Sequence, residues 1–408
     1  TPSTIKFYRT EGKDIILPFG CIRNYVFKNI KDLESDFPEI PHVEYTEDVP
    51  LYEYQDKAVT DALARRNGIL VAPCGSGKTQ MGLALAREIS KPTLWITHTK
   101  DLMVQAEERA KDIFDLPKEA YGEITEGKVN LGTHLTFSTV QTLAKVNLDN
   151  LKFGCVIVDE CHHAVQSYKA TSMFAKVMNS ISCRCKFGLT ATPYRADGLE
   201  KGMFALIGDI CSVVDEEEVK GKTVPVYEQW YTVPPFTSYV DCYNGDGTLD
   251  YTKLITKLCN DVGRNLFIGR KIVEIKGSCL VLSDRLSQLE ILMKFVSHYK
   301  RCDMVKATST KQGKKERREA IEKLKDGRID CLFATYKLAK EGLDIPSLEN
   351  VVMASPIKDK STVIQTAGRV ARKVEGKTCG WVHDFMDGLG VLQGMARKRK
   401  NIRKHLNN

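Results

Sequence analysis

Eight consecutive residues, 72–79, have the spacing of a loop that binds phosphate. The segment reads APCGSGKT and lies between the apolar run GILV and the helical stretch QMGLALAREI. Glycines let backbone N–H groups approach phosphate oxygens, and the amino end of the following helix adds a positive dipole. In this pattern the lysine reaches the β- and γ-phosphates and the threonine hydroxyl ligates Mg²⁺. The predicted nucleotide contacts are Gly75, Ser76, Gly77, Lys78 and Thr79.

A pair of carboxylates follows a second apolar run further along the chain. Asp159 and Glu160 come directly after CVIV. Two acids after a strand are commonly a helix cap. Downstream of a phosphate loop, however, they supply the groups that phosphoryl transfer needs: Asp159 to hold Mg²⁺ through water, and Glu160 as general base for the attacking water. Together with Lys78 they predict hydrolysis of a nucleoside triphosphate.

These residues require strands and helices in alternation, and the sequence has that rhythm twice. Short apolar runs alternate with helical stretches between about 50 and 220 and again after about 260, which is typical of parallel sheets. A charged segment with Gly and Pro separates the two series. We expect an α/β protein with a small accessory element at 1–45, an ATP-binding lobe at 46–224, a second lobe at 225–392 and a basic tail at 393–408.

Further motifs occur in an order that resembles the superfamily 2 helicases. The acids belong to DECHH (159–163), a DExH box, and GLTATP (188–193) resembles motif III. THT (97–99) and STVQ (138–141) resemble motifs Ia and Ib, while EGLDIP (341–346) and QTAGRVAR (365–372) resemble motifs V and VI. The resemblance covers about 50–375 and implies two tandem RecA-like lobes that use ATP and Mg²⁺.

The resemblance also implies roles near the nucleotide. Arg369 and Arg372, three residues apart and therefore expected on one helical face, would stabilise the transferring phosphoryl group, with Arg372 the better arginine finger. The LYEYQ segment resembles the glutamine motif, in which Gln55 reads adenine and Tyr52 stacks on the base. Gly342 and Asp344 would line the same site. The residues expected to couple hydrolysis to movement are His162, Thr190, Thr192 and Gln365.

The polymer that such a motor follows would be held mainly through its backbone, because phosphates carry no base information. Hydroxyl and basic groups in the motif loops are the natural contacts. The predicted nucleic-acid contacts are Thr97, Thr99, Ser138, Thr139, Arg195, Ser283, Arg285 and Thr335.

The segment after motif III is similar to the XPB-like branch of the superfamily, which includes phage and repair translocases. PYRAD (193–197) stands where that branch has an Arg-Glu-Asp triplet, and FALIG (204–208) follows; Ala196 replaces the glutamate. The resemblance implies a DNA helicase or translocase that unwinds or branch-migrates single-stranded, forked or junction DNA in recombination, repair or replication. The alternatives are a motor subunit of a restriction or nuclease complex, an RNA helicase, and a non-motor ATP-dependent clamp on nucleic acid.

Composition narrows these classes little. The 408 residues include 60 Lys and Arg against 52 Asp and Glu, a net charge of +8. Six of the cations lie in residues 395–408, which contain no acid, so we expect a basic tail that binds nucleic acid through charge, independently of sequence. No apolar run is long enough to span a membrane.

The 13 cysteines include no C-x-x-C pair, and adjacent His162 and His163 lack partners at ligand spacing, so zinc is not expected. We expect an intracellular, reducing location, cytoplasmic or nucleoid-associated, or the host cytoplasm for a viral protein.

Overall fold

The computed structural model describes residues 8–17, 39–148, 150–165, 168–181, 183–193, 200–219, 223–306, 311–340, 343 and 345–404. The chain divides into two compact units, Thr1–Val219 and Lys220–Asn408, called here the first and second units. Within the described ranges, no helix has both the length and the apolar character to cross a bilayer.

The strands of the first unit form a small hairpin and one large sheet. The strands are β1 (Arg9–Glu11), β2 (Asp14–Ile16), β3 (Asn67–Val71), β4 (Thr93–Thr97), β5 (Tyr121–Thr125), β6 (Lys128–Asn130), β7 (Leu135–Thr139), β8 (Cys155–Val158), β9 (Cys185–Thr190) and β10 (Ile210–Val213). β1 and β2 pair antiparallel, within the predicted accessory element. The sheet order is β10-β3-β9-β8-β4-β7-β5-β6, and only the β5–β6 pair among its described strands is antiparallel.

Helices cover both faces of this sheet. They are α1 (Glu53–Arg65), α2 (Lys78–Ile89), α3 (Lys100–Ile113), α4 (Val140–Leu143), α5 (Tyr168–Ser180), α6 (Glu200–Ile207) and α7 (Glu216–Val219). Successive residues of β4 serve opposite faces, because side chains alternate along a strand. Trp95 packs in one core with Leu83 of α2, whereas Leu94 and Ile96 pack in the other with Phe174 of α5.

A parallel sheet gathers the carboxyl ends of its strands along one edge, and this edge carries the predicted chemistry. The phosphate loop follows β3, the DECHH segment follows β8, and Thr190 ends β9. Motifs Ia and Ib follow β4 and β7, which are neighbours in the sheet. Five sequence-distant motifs therefore meet at one edge for a purely topological reason.

The second unit repeats this architecture. Its strands are β11 (Val226–Thr232), β12 (Cys279–Ser283), β13 (Cys302–Met304), β14 (Cys331–Thr335), β15 (Asn350–Met353) and β16 (Gly380–Met386), and its helices are α8 (Tyr251–Asn260), α9 (Val262–Glu274), α10 (Leu286–Val296), α11 (Lys311–Lys325), α12 (Tyr336–Lys340), α13 (Lys360–Val370) and α14 (Gly390–Lys404). The sheet order is β11-β16-β15-β12-β14-β13, with every pairing parallel among the described residues. The predicted fold class, two RecA-like parallel-sheet lobes, is confirmed.

The end of the chain, predicted as a basic tail, is a packed helix in its described residues. Residues 390–404 form α14, whose Leu392 and Met395 pack in an apolar cluster with Leu254 of α8. Arg399 and Arg403 are each only 1% exposed. Two of the cations of the predicted basic tail are therefore buried, which the sequence did not reveal because their acidic partners lie on other elements.

Those partners are carboxylates on the strands beneath the helix. Asp384 of β16 accepts from Arg399 Nη2 at 2.8 Å and from Arg403 Nη2 at 2.7 Å, and Glu228 of β11 lies 3.1 Å from Arg403 Nε. The Trp230 ring lies 5.0 Å from the Arg403 guanidinium. Burial favours protonated Asp384, yet the two arginines outweigh it and hold the pKa of this carboxyl below its ordinary value.

Replacing Asp384 should destabilise the second unit strongly. Asp384→Asn leaves the buried Arg399 guanidinium without its counter-charge and Arg403 with Glu228 alone, and breaking a buried pair typically costs about 3–5 kcal/mol of unfolding free energy. Chemical denaturation followed by tryptophan fluorescence measures the loss, since Trp230 lies against the cluster. The matched control is Asp330→Asn, which breaks the exposed pair with Arg301 and should leave the midpoint nearly unchanged. Equal midpoint shifts for both variants would contradict the assigned anchor.

Candidate active site

The phosphate loop takes a backbone path that depends on glycine. Gly75 and Gly77 have φ angles of 84° and 81°, in the left-handed region that side chains disfavour. Gly77 is the N-cap of α2, and a Cβ placed there would lie 2.3 Å from Gln55 Nε2. α2 begins at Lys78, so the lysine and Thr79 occupy its positive amino end. The predicted strand–loop–helix context is therefore present.

Two side chains of α1 hold the backbone of this loop at Ser76. Gln55 Nε2 donates to the Ser76 carbonyl at 2.7 Å, and the Tyr54 hydroxyl donates to the same oxygen at 3.0 Å. Gln55 Oε1 accepts from the Tyr52 backbone N–H at 2.8 Å. Both the oxygen and the nitrogen of the buried Gln55 amide are thus hydrogen-bonded to the protein. Recognition of adenine by Gln55 stays a prediction, and it requires these hydrogen bonds to be exchanged for bonds to the base. Tyr52, at 50% exposure, is accessible for stacking.

The DECHH acids lie beside the phosphate-loop lysine. Lys78 Nζ is 3.5 Å from Glu160 Oε1, with the two side chains only 9% and 18% exposed. Burial works to raise the pKa of Glu160, but Lys78, His162 and His98 together bring that pKa below its ordinary value. For Asp159, burial and the Glu160 carboxylate raise the pKa and outweigh Lys78. One lysine thus stabilises one carboxylate and leaves its neighbour short of positive charge.

A buried carboxylate that lacks a positive partner, as Asp159 does among the described residues, is suited to bind a metal ion. A divalent cation at Asp159 would offset the burial of its carboxylate. Mg²⁺ binds proteins through one or two carboxylates and completes its shell with water and phosphate oxygens, so Asp159 and the Thr79 hydroxyl are a sufficient protein share. The residues fit Mg²⁺. Elsewhere, the described residues contain no group of three or more His, Cys, Asp or Glu arranged to hold a metal ion.

Glu160 is held in an unusual backbone conformation. Its φ is +46°, a left-handed value that is uncommon for a residue with a side chain. The Glu160 N–H donates to Asp159 Oδ1 at 2.9 Å, and the His163 N–H donates to the Glu160 carbonyl at 2.9 Å. Such strain persists only where surrounding contacts maintain it, and it clusters at functional sites. Here it aims the carboxylate at Lys78.

His162 and the motif III threonine are joined directly. His162 Nδ1 lies 2.8 Å from Thr190 Oγ1, and that hydroxyl also accepts from the Thr192 N–H at 3.1 Å. His162 Nδ1 is 3.4 Å from Glu160 Oε2. Three of the residues predicted to couple hydrolysis to movement, His162, Thr190 and Thr192, therefore form one chain of contacts that ends at Glu160, the predicted general base. Their role in coupling remains a prediction.

Three of the predicted nucleic-acid contacts have side chains that a polymer does not reach in this structure. Thr97, Ser138 and Ser283 are at most 1% exposed. Their hydroxyls donate inward, to the Thr99 carbonyl, the Ile124 carbonyl and Gln288 Oε1 respectively. The prediction of direct contact with nucleic acid is wrong for these three side chains, because a hydroxyl at a strand end satisfies local backbone and amide groups first.

The other predicted contacts are partly accessible. Thr99 and Thr139 cap α3 and α4, and Thr335 accepts from the Leu338 N–H at the start of α12. Arg285, with 37% of its side chain exposed, is paired with Asp284 at 3.1 Å. These four remain predictions. Arg195 and the two residues that follow it lie outside the described residues.

The motif VI arginines are not on one helical face as predicted. α13 ends at Val370, and Arg372 lies beyond its cap in an isolated antiparallel bridge with Thr223. Arg369 donates to the carbonyls of Leu343 at 2.8 Å and Ala339 at 2.7 Å, so it braces the motif V loop. This leaves Arg372 as the predicted finger. Gln365 lies on α13; Gly342 and Asp344 fall outside the described residues.

Sequence reasoning missed one member of the site. His98, between the two motif Ia threonines, has its ring stacked on that of His163 with centroids 4.0 Å apart. The signal was available in the THT and DECHH segments, but only the β4–β8 pairing brings their ends together.

Comparison with known proteins agrees with this geometry. Residues 48–195 match the family described as the res subunit of type III restriction enzymes, and residues 264–374 match the helicase conserved C-terminal domain. The chain belongs to the superfamily 2 helicases. It is therefore a nucleic-acid-dependent ATPase, as predicted.

Curated relatives are similar along most of the chain. A putative ATP-dependent RNA helicase of Acanthamoeba polyphaga mimivirus is 28% identical over 90% of this chain and 71% of its own length. The DNA 3'-5' translocase XPB2 of Sulfurisphaera tokodaii is 26% identical over 86% of this chain and 85% of its own. The ATP-dependent DNA helicase uvsW of Enterobacteria phage T4 is 26% identical over 87% and 72%.

A solved helicase structure supports the fold. S. cerevisiae Dbp5 bound to RNA and ADP BeF3 superimposes with a TM-score of 0.60 at 17% identity, covering 88% of this chain and 92% of Dbp5. At that identity the likeness concerns the tandem RecA-like architecture alone.

Removing Glu160, the predicted general base, should stop hydrolysis by this helicase while sparing nucleotide binding. Glu160→Gln keeps the size of the side chain but cannot accept the proton of the attacking water, so turnover should fall by roughly 10²–10⁴-fold. Steady-state phosphate release measures turnover, and titration with a fluorescent ATP analogue measures binding. Turnover within tenfold of wild type would assign the base elsewhere; loss of binding as well would show that Glu160 holds the loop together.

Proposed function

We propose that this helicase is an ATP-dependent DNA translocase that unwinds or branch-migrates single-stranded, forked or junction DNA in recombination, repair or replication. The observation that carries the proposal is the contact of Lys78 with Glu160 beside Asp159, at the sheet edge where the motif Ia and Ib loops also end. The choice of DNA is supported by the translocase and phage relatives, both named for DNA.

In the proposed hydrolysis, Lys78 and the loop N–H groups bind the phosphates of ATP, and phosphate oxygens compete with Glu160 for the ammonium group. A carboxylate that loses this partner becomes a stronger base, because the charge that lowered its pKa has moved away. Glu160 then accepts the proton of the attacking water. Mg²⁺, held by Asp159 and Thr79, would neutralise charge on the β- and γ-phosphates. Arg372 is our proposal for stabilising the transferring phosphoryl group.

Outside the motifs, the last helix offers a surface suited to phosphates. While Arg399 and Arg403 anchor α14, four other cations of the helix are exposed: Arg397, Lys398, Lys400 and Lys404. The helix contains no acidic residue. α11 is a contrast, since its exposed lysines and arginines are interleaved with glutamates. A fixed, wholly basic face supports sequence-independent binding that weakens as salt rises.

Two alternatives have specific support. The mimivirus relative is named as an RNA helicase, which favours RNA. The family matched by residues 48–195 is named for restriction enzymes, which favours a motor subunit that works with a separate nuclease. A non-motor clamp would hydrolyse ATP with little response to nucleic acid.

The polymer is identified by the stimulation of ATP turnover. We expect single-stranded DNA to raise kcat at least tenfold and to act at lower concentration than RNA of the same sequence. Forked and four-way junction DNA should be remodelled by the purified chain with ATP, as seen by gel separation of labelled strands. Glu160→Gln serves as the control that binds without remodelling.

Each alternative gives a different result. Stronger stimulation by RNA would replace DNA in the proposal, and DNA-stimulated turnover without remodelling would favour the subunit of a larger complex. Turnover that neither polymer changes would contradict a translocase and favour the clamp.

A further inference from the structure

Three imidazole rings lie in contact between the motif Ia loop and the general base. The ring of His98 stacks on that of His163 with centroids 4.0 Å apart and planes 28° apart. The ring of His163 lies 4.1 Å from that of His162 at 38°. His162 Nδ1 is in turn 3.4 Å from Glu160 Oε2. We call His98, His163 and His162 the histidine stack.

The two ends of this stack differ in their surroundings. His162 and His163 are 4% and 6% exposed, so they are packed into the first unit. His98 is half-buried and lies where β4 gives way to α3, between Thr97 and the cap residue Thr99. Its carbonyl accepts from Gln141 Nε2 at 3.1 Å, which ties the motif Ia loop to the exposed Gln141 of motif Ib. One end therefore belongs to the loops at the sheet edge and the other to the hydrolytic site.

We infer that His98, through His163 and His162, positions Glu160 according to the state of the motif Ia and Ib loops, and so links nucleic-acid binding to ATP hydrolysis. The inference rests on nucleic acid being the stimulating partner. No ring of the stack needs to touch the polymer or ATP. A shift of the His98 backbone, when phosphates contact the neighbouring loop residues, moves its ring against His163.

Ring stacking suits this role because it is short in range and directional. Favourable aromatic geometry spans only a few ångströms of centroid separation. The strained, left-handed Glu160 amplifies the effect, since its carboxylate direction depends on the contacts that hold it. The energy of one aromatic pair limits the coupling to roughly two- to tenfold in rate. His98 is therefore a positioning residue, and His163 has a role beyond filling space.

The test compares basal and polymer-stimulated ATP turnover in His98→Ala, His98→Phe and wild type. His98→Ala removes the ring, and we expect the stimulation factor, the ratio of kcat with saturating single-stranded DNA or RNA to kcat without it, to fall three- to tenfold. Basal kcat should fall by a smaller factor than kcat with polymer, because the ring is expected to act mainly through the stimulated state. His98→Phe restores a planar ring and should recover most of the stimulation. The polymer concentration for half-maximal stimulation should change little.

His134→Ala is the matched control. Its half-buried imidazole packs edge-on against Tyr45 and lies 2.8 Å from the Glu44 carbonyl, away from the stack, and its loss should leave the stimulation factor unchanged. A purely structural role for His98 would lower basal and stimulated turnover in proportion. That result, or a wild-type stimulation factor in His98→Ala, would overturn the inference. A wild-type chain that no polymer stimulates would overturn the proposed function and this coupling together.

Discussion

The first unit depends on the burial of two neighbouring carboxylates beside a single lysine. Asp159 and Glu160 directly follow the central strand β8, where little water can stabilise their charge. Of the two carboxylates, Glu160 is the one that pairs with Lys78, at 3.5 Å. Buried charges are costly unless each is paired. The raised pKa of Asp159, caused by burial and by Glu160, records the unmet part of that requirement. An unpaired buried carboxylate of this kind is expected where a bound metal ion and a phosphate chain supply the missing interactions.

The strand order follows from this requirement. The sheet runs β3-β9-β8-β4, so the phosphate loop after β3 and the acids after β8 are separated by the end of β9. Lys78 spans that gap from the first turn of α2, and Thr190, the last residue of β9, contacts His162 in the space between them. On the far side, β4 delivers His98 to His163. Each strand next to β8 thus ends in, or is directly followed by, a residue that contacts the DECHH segment.

Sequence patterns were informative where the physics is local. APCGSGKT requires left-handed glycines and a following helix, and continuous apolar runs such as CVIV require a strand buried on both faces; the structure has both. The wrong predictions concern side-chain partners that the motif patterns do not specify, whether near or distant in sequence. Ser138 and Ser283 resembled exposed hydroxyls, yet their acceptors are Ile124 and Gln288. The basic end of the chain did not reveal that two of its cations are buried, because Asp384 and Glu228 lie on other elements.

The same limit of sequence patterns explains the wrong prediction for the motif VI arginines and the failure to identify His98. A three-residue spacing places Arg369 and Arg372 on one face only if the helix continues, and α13 ends between them. His98 and His163 are 65 positions apart, and only the parallel pairing of β4 with β8 makes them neighbours. Spacing predicts chemistry within one loop, whereas contact between loops is set by sheet topology.

The most direct test of the account is the single-turnover hydrolysis of ATP by Lys78→Ala, measured by rapid chemical quench with saturating single-stranded DNA. The lysine that pairs with Glu160 is the group assigned to the transferring phosphate, so the account predicts no phosphate release above the uncatalysed background on the timescale of the wild-type reaction. A control with Lys57→Ala, an exposed lysine 3.7 Å from Glu218, should match wild type. Hydrolysis by Lys78→Ala within tenfold of the wild-type rate would contradict the assignment of this loop as the catalytic nucleotide site.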